Sequence, residues 1–153
     1  MRAKRTIAVT AALLGLTAVM VSPASAVSAG SWKAYGNTNP ITSSPHNWVC
    51  ASSQAVTTNV VAQVCTIRSS GGGSAQGAVI VRNNRAGLYS TTATVDLWTE
   101  GRGQIDIWEC PSSGVAANSW SVCFGRSQSV PSTDLANSFG SAGSKYLGVS
   151  GPA

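Results

Sequence analysis

Four cysteines, arranged in two similar segments, limit the fold of this 153-residue chain more than any other feature. The first segment reads WVCASS and later VCTIRS, and the second reads WECPSS and later VCFGRS. Their shared pattern is W-x-C-x-S-S … V-C-x-x-R-S. Two copies of one unit would most simply close one bridge each, so we predict disulfides Cys50–Cys65 and Cys110–Cys123, each across a long hairpin. The spacings lack the short C-x₂₋₄-C pattern of zinc sites, so we expect no metal.

The N-terminal sequence is typical of an exported protein. Three basic residues at positions 2, 4 and 5 precede an apolar run over 6–21 and the cleavage sequence Ala24-Ser25-Ala26. We therefore predict a signal peptide over 1–26. The apolar run is too short for a confident membrane span and no second run follows, so we expect a secreted, extracellular protein without a membrane anchor.

Charge argues against nucleic acid as a partner. The signal peptide would remove three of the ten Lys and Arg residues, and the rest are scattered among five acidic residues. Nucleic-acid binding usually needs a clustered basic surface. We therefore expect no nucleic-acid partner.

The composition after residue 26 favours strands. Valine and isoleucine far outnumber leucine, and no long segment carries a helical apolar stripe. We predict an all-β fold: a disulfide-stapled antiparallel β-sandwich or small barrel with an internal duplication, its copies near 46–69 and 106–127. A strand at 78–81, apolar on both sides, should be central, and 146–149 should form an edge strand.

Residues 27–45 precede this single β domain, which we assign to 46–153. The segment contains two prolines and no clear alternation, so we predict an extended N-terminal arm. Two interpretations stay open: a loosely docked terminus, or an arm ordered by a partner. In the second case Trp32, Lys33 and Tyr35 would anchor the partner, as two aromatic rings around one cation.

The stretch VDLWTEGRGQIDIWEC, residues 95–110, reads as a hairpin with matched D-x-W strands. A three-residue loop, 101–103, would pair Glu100 with Gln104 and Leu97 with Ile107. One face would then point to the core, with Val95, Leu97, Ile105 and Ile107. The other face would carry Asp96, Trp98, Glu100, Asp106 and Trp108.

The two aspartates of this hairpin raise the question of catalysis. As diagonal neighbours they would lie roughly 7–8 Å apart, within the carboxyl spacing of roughly 6.5–9.5 Å in inverting glycosidases. Both would lie on an open hairpin, where we expect no apolar pocket of the kind that a catalytic acid needs. The single histidine, His46, is expected in a surface loop, and no nucleophile motif is present. We predict that the chain is not an enzyme and has no catalytic residues and no cofactor.

Binding remains as the role of this aromatic and acidic face. Asp96, Trp98 and Asp106 fit either a carbohydrate or a protein partner, since aromatic residues are enriched at interface centres. Trp120 is a candidate exposed anchor near a hairpin tip. Trp108 precedes Cys110 as Trp48 precedes Cys50, so packing over the disulfide or a second sheet is favoured for it.

An export signal, an arm over 27–45 and a compact β domain with two local disulfides between Trp48 and Cys123 together resemble the small adaptor subunits of the umbrella toxin particles of actinobacteria. The resemblance implies a non-enzymatic connector in an antibacterial particle used in interbacterial competition. It would join a lectin subunit bearing a trypsin-like domain to a large repeat-containing toxin subunit. It also implies that the arm enters the trypsin-like cleft through Trp32, Lys33 and Tyr35.

Two other classes stay open. A secreted protease inhibitor would present Lys33 or Arg102 to a trypsin-like pocket. A carbohydrate- or small-ligand-binding protein would act without a protein complex.

Overall fold

A computed structural model of the protein describes residues 26–153. The predicted signal peptide lies outside the described residues, apart from Ala26. Every regular element in the described range is a β-strand, and twelve strands form two sheets. Within this range no helix is long and apolar enough to cross a membrane. The prediction of an all-β sandwich, the first of the two predicted architectures, is confirmed.

One sheet has five strands in the order β1-β8-β7-β11-β12. All neighbours are antiparallel except β1, which runs parallel to β8. The predicted edge strand near 146–149 is confirmed as β12. The strands are β1 (Ser28–Ala29), β7 (Tyr89–Thr99), β8 (Gly103–Val115), β11 (Ala136–Ala142) and β12 (Lys145–Val149).

The second sheet has seven strands, with a main order β2-β9-β6-β5-β3 and two short strands, β4 paired with β5 and β10 paired with β6. Residues 78–81 lie in β6, the central strand of this sheet, and are fully buried, as predicted. The strands are β2 (Ser31–Gly36), β3 (Asn47–Cys50), β4 (Gln54–Thr57), β5 (Val60–Arg68), β6 (Ser74–Asn83), β9 (Ser119–Phe124) and β10 (Gln128–Ser129).

The main core lies between the two sheets. Small residues let the sheets approach where large side chains cross: a Cβ on Gly125 would come within 2.5 Å of the Trp108 ring, and one on Gly140 within 2.8 Å of Val79. Burial of apolar surface is the main driving force for such packing. The largest fully buried side chains include Trp108, Ile80, Leu97, Leu147, Val60, Val64, Val79 and Val95.

Both predicted disulfides are present. Cys50 and Cys65 are direct cross-strand partners on β3 and β5, within one sheet. Cys110 on β8 and Cys123 on β9 join the two sheets, with their Cα atoms 6.0 Å apart. The hairpin expected for the second copy is therefore wrong, because β8 and β9 belong to different sheets. The repeated sequence pattern gave the pairing but does not place the two bridges in equivalent positions.

The N-terminal segment is extended and pairs with both sheets. β1 adds to the edge of β8, and β2 adds to the edge of β9 over residues 31–36. The loop over 37–46 then crosses the outer face of the seven-stranded sheet to reach β3. The first half of the predicted arm thus belongs to the sandwich itself and supplies an edge strand to each sheet.

The 95–110 hairpin has a different register from the one predicted. Thr99 pairs with Gly103, and the pairing shifts between Leu97–Asp106 and Trp98–Gln104, which leaves Ile105 as an extra residue in β8. A β-bulge of this kind moves all the following side chains to the opposite face. Trp108 consequently pairs with Val95 and is fully buried, whereas Ile107 pairs with Asp96 on the outer face.

Candidate functional site

The outer face of the five-stranded sheet carries an exposed cluster of large apolar side chains, which we call the aromatic face. Neighbouring strands bring it together, because Phe139 pairs with Asp96 and with Val149, and Ser141 pairs with Thr94 and with Tyr146. Ile107 joins the same row through its pairing with Asp96. The aromatic face consists of Trp98, Ile107, Phe139, Tyr146 and Val149.

Within residues 26–153 no element covers Trp98, Tyr146 and Val149, whereas Ile107 and Phe139 are half-buried. Trp98 is 39%, Tyr146 59% and Val149 41% exposed. The Trp98 and Phe139 rings meet edge to face, with centroids 6.0 Å apart and planes at 67°. Beside them Phe139 and Tyr146 border a shallow depression of about 200 Å³. Contiguous exposed apolar patches of this kind mark interaction surfaces in soluble proteins.

Two polar acceptors lie within the aromatic face. Asp96 Oδ2 accepts a hydrogen bond from Gln104 Nε2 at 2.9 Å, while Asp96 Oδ1 is buried and has no partner among residues 26–153. Asn137, which pairs with Trp98, also has a buried Oδ1 without a partner. An unpaired buried acceptor costs about 1–3 kcal/mol.

The aromatic face depends on small residues beneath it. In β11 the sequence ANSFGSA turns Ala136, Ser138, Gly140 and Ala142 inward, where they are buried. This row leaves room for the opposite sheet and places Phe139 outside. Phe139 and Tyr146 were not predicted as site residues, since the Ser- and Gly-rich composition concealed the strand. The alternation of small and larger residues in ANSFGSA is the signal that identifies it.

The predicted hairpin residues are divided between two faces. Asp96 and Trp98 lie on the outer face, as predicted. The predicted outward positions of Asp106 and Trp108 are wrong, since the bulge at Ile105 turns them to the side of Leu97 and Val95. Asp106 Oδ2 accepts a hydrogen bond from Ser28 Oγ at 2.8 Å and so fixes β1 rather than facing a partner.

Asp96 and Asp106 therefore cannot act as a pair of carboxylates on one face. Their strands place them on opposite sides of the sheet, as cross-strand partners of Ile107 and Leu97. His46 lies exposed at the end of the 37–46 loop, on the other sheet. Among residues 26–153, no three His, Cys, Asp or Glu side chains come together as a metal site requires.

The outer face of the seven-stranded sheet is a second aromatic surface, with cations. The Lys33 Nζ lies 5.0 Å from the centroid of the Tyr35 ring, and the Arg82 guanidinium carbon lies 5.2 Å from that of Trp120. Trp120 is half-buried in β9 rather than exposed at a hairpin tip, which corrects its predicted position. Trp32 does not share a face with Lys33 and Tyr35. It packs against the main core and donates from Nε1 to the Pro111 carbonyl at 2.7 Å.

Charge is divided between the two sheets. All five acidic residues fall between Asp96 and Asp134, and none lies in a strand of the seven-stranded sheet. Asp96 and Glu109 lie on the outer side of the five-stranded sheet, where Glu109 pairs with Thr94. The outer face of the five-stranded sheet thus carries two carboxylates beside its aromatic rings, with Lys145 in the edge strand β12, whereas the outer face of the seven-stranded sheet carries Lys33 and Arg82 beside aromatic rings. Such faces favour partners of different charge.

Comparison with known proteins gives no match: no family model, no curated protein and no solved structure is similar to this chain.

Proposed function

We propose that the chain is a secreted, non-enzymatic adaptor that binds protein partners, with the aromatic face as one docking surface. The observation that carries the proposal is the uncovered cluster around Trp98, Phe139 and Tyr146. Tryptophan and tyrosine dominate the binding energy of protein interfaces when they lie near the centre. The two disulfides are consistent with an extracellular location.

An adaptor must contact two partners at once, and the two faces of the sandwich suit that task. The aromatic face is acidic through Asp96 and Glu109, whereas the opposite face carries Lys33 and Arg82. Surfaces on opposite sides of one domain do not compete for space. By the resemblance in overall plan, the proposed partners are a lectin subunit with a trypsin-like domain and a large toxin-bearing repeat subunit in an antibacterial particle.

The position of β2 changes how the proposed lectin subunit with its trypsin-like domain would be bound. Lys33 and Tyr35 lie in a paired edge strand, so an arm entering a cleft as a free peptide is not supported by this geometry. The contact we propose is instead the outer side of β2, with Lys33 and Tyr35 on one rigid surface. Trp32 would support that surface from below.

A carbohydrate-binding role is the second candidate, and a carboxylate beside aromatic rings favours it. Asp96 pairs with Phe139, and the Trp98 and Phe139 rings would stack on a sugar whose hydroxyls donate to Asp96 Oδ2. The protease-inhibitor hypothesis gains less support. Lys33 is within a strand, and Arg102 is tied to the Ser129 carbonyl at 2.8 Å.

The adaptor is tested by purifying the tagged protein from its native culture supernatant and identifying its companions by mass spectrometry. We expect one complex that contains both a lectin-type subunit and a large toxin-bearing subunit. The double variant Trp98→Ser/Tyr146→Ser should lose one of the two partners, with affinity lowered more than tenfold. The control is Leu88→Ser, since Leu88 is 67% exposed but lies in a turn away from the aromatic face.

A wild-type protein that is recovered alone, at native abundance and low salt, would exclude the adaptor. Retention of both partners by Trp98→Ser/Tyr146→Ser would move the docking surface elsewhere. Binding of the isolated protein to a polysaccharide column, lost in the same variant, would favour the carbohydrate role instead.

A further inference from the structure

We propose that the outer face of the seven-stranded sheet holds a binding site for a carboxylate group, which we call the Lys33 pocket. It is a cavity of about 300 Å³ between β2, the 37–46 loop and β3. This volume is at the lower end of ligand pockets in proteins. It suits one acidic side chain or one sugar acid. Its lining includes Lys33, Tyr35, His46, Trp48, Gln76 and Phe124, together with proline and serine residues of the loop.

Three residues that line this pocket carry side-chain donors with no hydrogen-bond partner among residues 26–153. The Lys33 ammonium group lies over the Tyr35 ring at 5.0 Å and forms no ion pair within residues 26–153, where the one ion pair joins Arg102 to Asp134. Trp48 lines the same cavity, and its Nε1–H is buried without a partner. The His46 ring stands at the rim and carries an N–H donor in either protonation state.

Lys33 supplies the charge that selects the ligand. No carboxylate lines the pocket, and none occurs in any strand of its sheet. A carboxylate accepts hydrogen bonds only, whereas a neutral hydroxyl or amide cannot satisfy a cation as strongly. The combination of one cation, one indole donor and one imidazole therefore favours a carboxylate over a neutral ligand.

The walls of the pocket are aromatic and held in place before any ligand binds. The Trp48 and Phe124 rings meet edge to face at 6.1 Å. The loop is fixed by its own hydrogen bonds, since Asn39 Oδ1 accepts from the Ile41 N–H at 2.9 Å and the Asn39 carbonyl accepts from Ser43 Oγ at 2.9 Å. A site that is ordered in advance loses less entropy on binding.

This site does not depend on the adaptor role, since it is argued from the pocket alone. Its carboxylate has two possible sources, an acidic side chain of a protein partner or a free sugar acid. The test uses one probe for each, N-acetylglutamate amide and D-glucuronate, with N-acetylglutamine amide and D-glucose as neutral counterparts. Each is titrated into ¹⁵N-labelled protein by NMR.

We expect the indole N–H resonance of Trp48 and the backbone amide of Lys33 to shift with at least one acidic probe and not with its neutral counterpart. Lys33→Gln should weaken binding about tenfold, the equivalent of one charge-assisted hydrogen bond. Arg126→Gln is the matched control, because Arg126 is an exposed cation that does not line the pocket. It should leave the affinity unchanged.

The stronger acidic probe would identify the source of the carboxylate. The proposal is overturned if neither acidic probe shifts Trp48, if the neutral probes shift it equally, or if Lys33→Gln binds as well as the wild type. Trp48→Phe provides a second variant, since it keeps an aromatic ring in the wall while it removes the Nε1–H donor and part of the ring volume. It should weaken the acidic probes while the protein keeps its far-UV spectrum.

Discussion

Arg68 should be among the most important single side chains for stability. Its hydrogen bonds allow the loss of unfolding free energy on its replacement to be estimated. It lies almost fully buried in β5, and no Asp or Glu side chain of residues 26–153 forms an ion pair with it. Its guanidinium group instead donates to backbone carbonyls, of which three are close: Val130 at 3.0 Å, Asp134 at 2.6 Å and Ala153 at 2.7 Å. The side chain thus joins the seven-stranded sheet to the 130–134 loop and to the segment around residue 153, which pairs with Ala136 through two backbone hydrogen bonds.

The perturbation is Arg68→Met, which keeps most of the side-chain volume and removes every donor. A hydrogen bond from a charged group contributes about 1.5–3 kcal/mol. Water can reach some of the freed carbonyls, so the loss should be smaller than the sum of three such bonds. We expect a decrease of about 3–5 kcal/mol in the free energy of unfolding, a large part of the total of about 5–15 kcal/mol in a typical domain.

The assay is urea unfolding, with both disulfides intact, followed by tryptophan fluorescence. The matched control is Arg126→Met. Arg126 occupies the equivalent place in the second sequence copy, but it is exposed and forms no hydrogen bond to the carbonyls that Arg68 contacts. Its loss should therefore leave the midpoint unchanged. Arg68→Met could instead lower the free energy of unfolding by less than about 1 kcal/mol, or shift the midpoint no more than Arg126→Met. Either result would show that the hydrogen bonds from Arg68 to the backbone carbonyls do not stabilise the fold as argued.

Two further predictions test the core. Trp108→Ala should cost about 3–5 kcal/mol because Trp108 is fully buried, whereas Trp98→Ala should cost far less; equal losses in urea unfolding would contradict the shifted hairpin register. Replacing Cys110 and Cys123 together by alanine should lower stability by roughly 3 kcal/mol, by the chain-entropy estimate for a loop of this length, and a calorimetric melting temperature equal to that of the wild type would refute this.

The sequence predicts the fold class and the disulfide pairing of this protein correctly. The β-branched composition indicates strands, and the repeated cysteine pattern predicts both disulfides correctly. The central position of 78–81 also follows from sequence, because a strand that is apolar on both sides must be covered on both. These features depend on local composition and spacing, which the sequence displays directly.

The candidate site is harder to predict from sequence, because a β-bulge at one residue determines which side chains of β8 face outward. Ile105, Ile107 and Trp108 are all large and apolar, so β8 has no single apolar face and alternation fits two registers equally well. The bulge at Ile105 selects the register that buries Trp108 and exposes Ile107. Phe139 was missed for a related reason, since the inward residues beside it are small rather than hydrophobic.

The pairing of the N-terminal segment was also not evident from sequence. Residues 31–36 have no clear alternation, because β2 is an edge strand with one side against the core at Trp32 and the other near the Lys33 pocket. Its strand structure comes from pairing with β9. Long-range pairing of this kind is not encoded in a local pattern.

The most direct test of the central claim is hydroxyl-radical footprinting of the aromatic face, comparing the free protein with the complex purified from native supernatant. Trp98 and Tyr146 are exposed and readily oxidised in the free protein. The adaptor account predicts that both become strongly protected in the complex, while Leu88 reacts at the same rate in the two samples. Equal oxidation of Trp98 and Tyr146 in the free protein and the complex would contradict it.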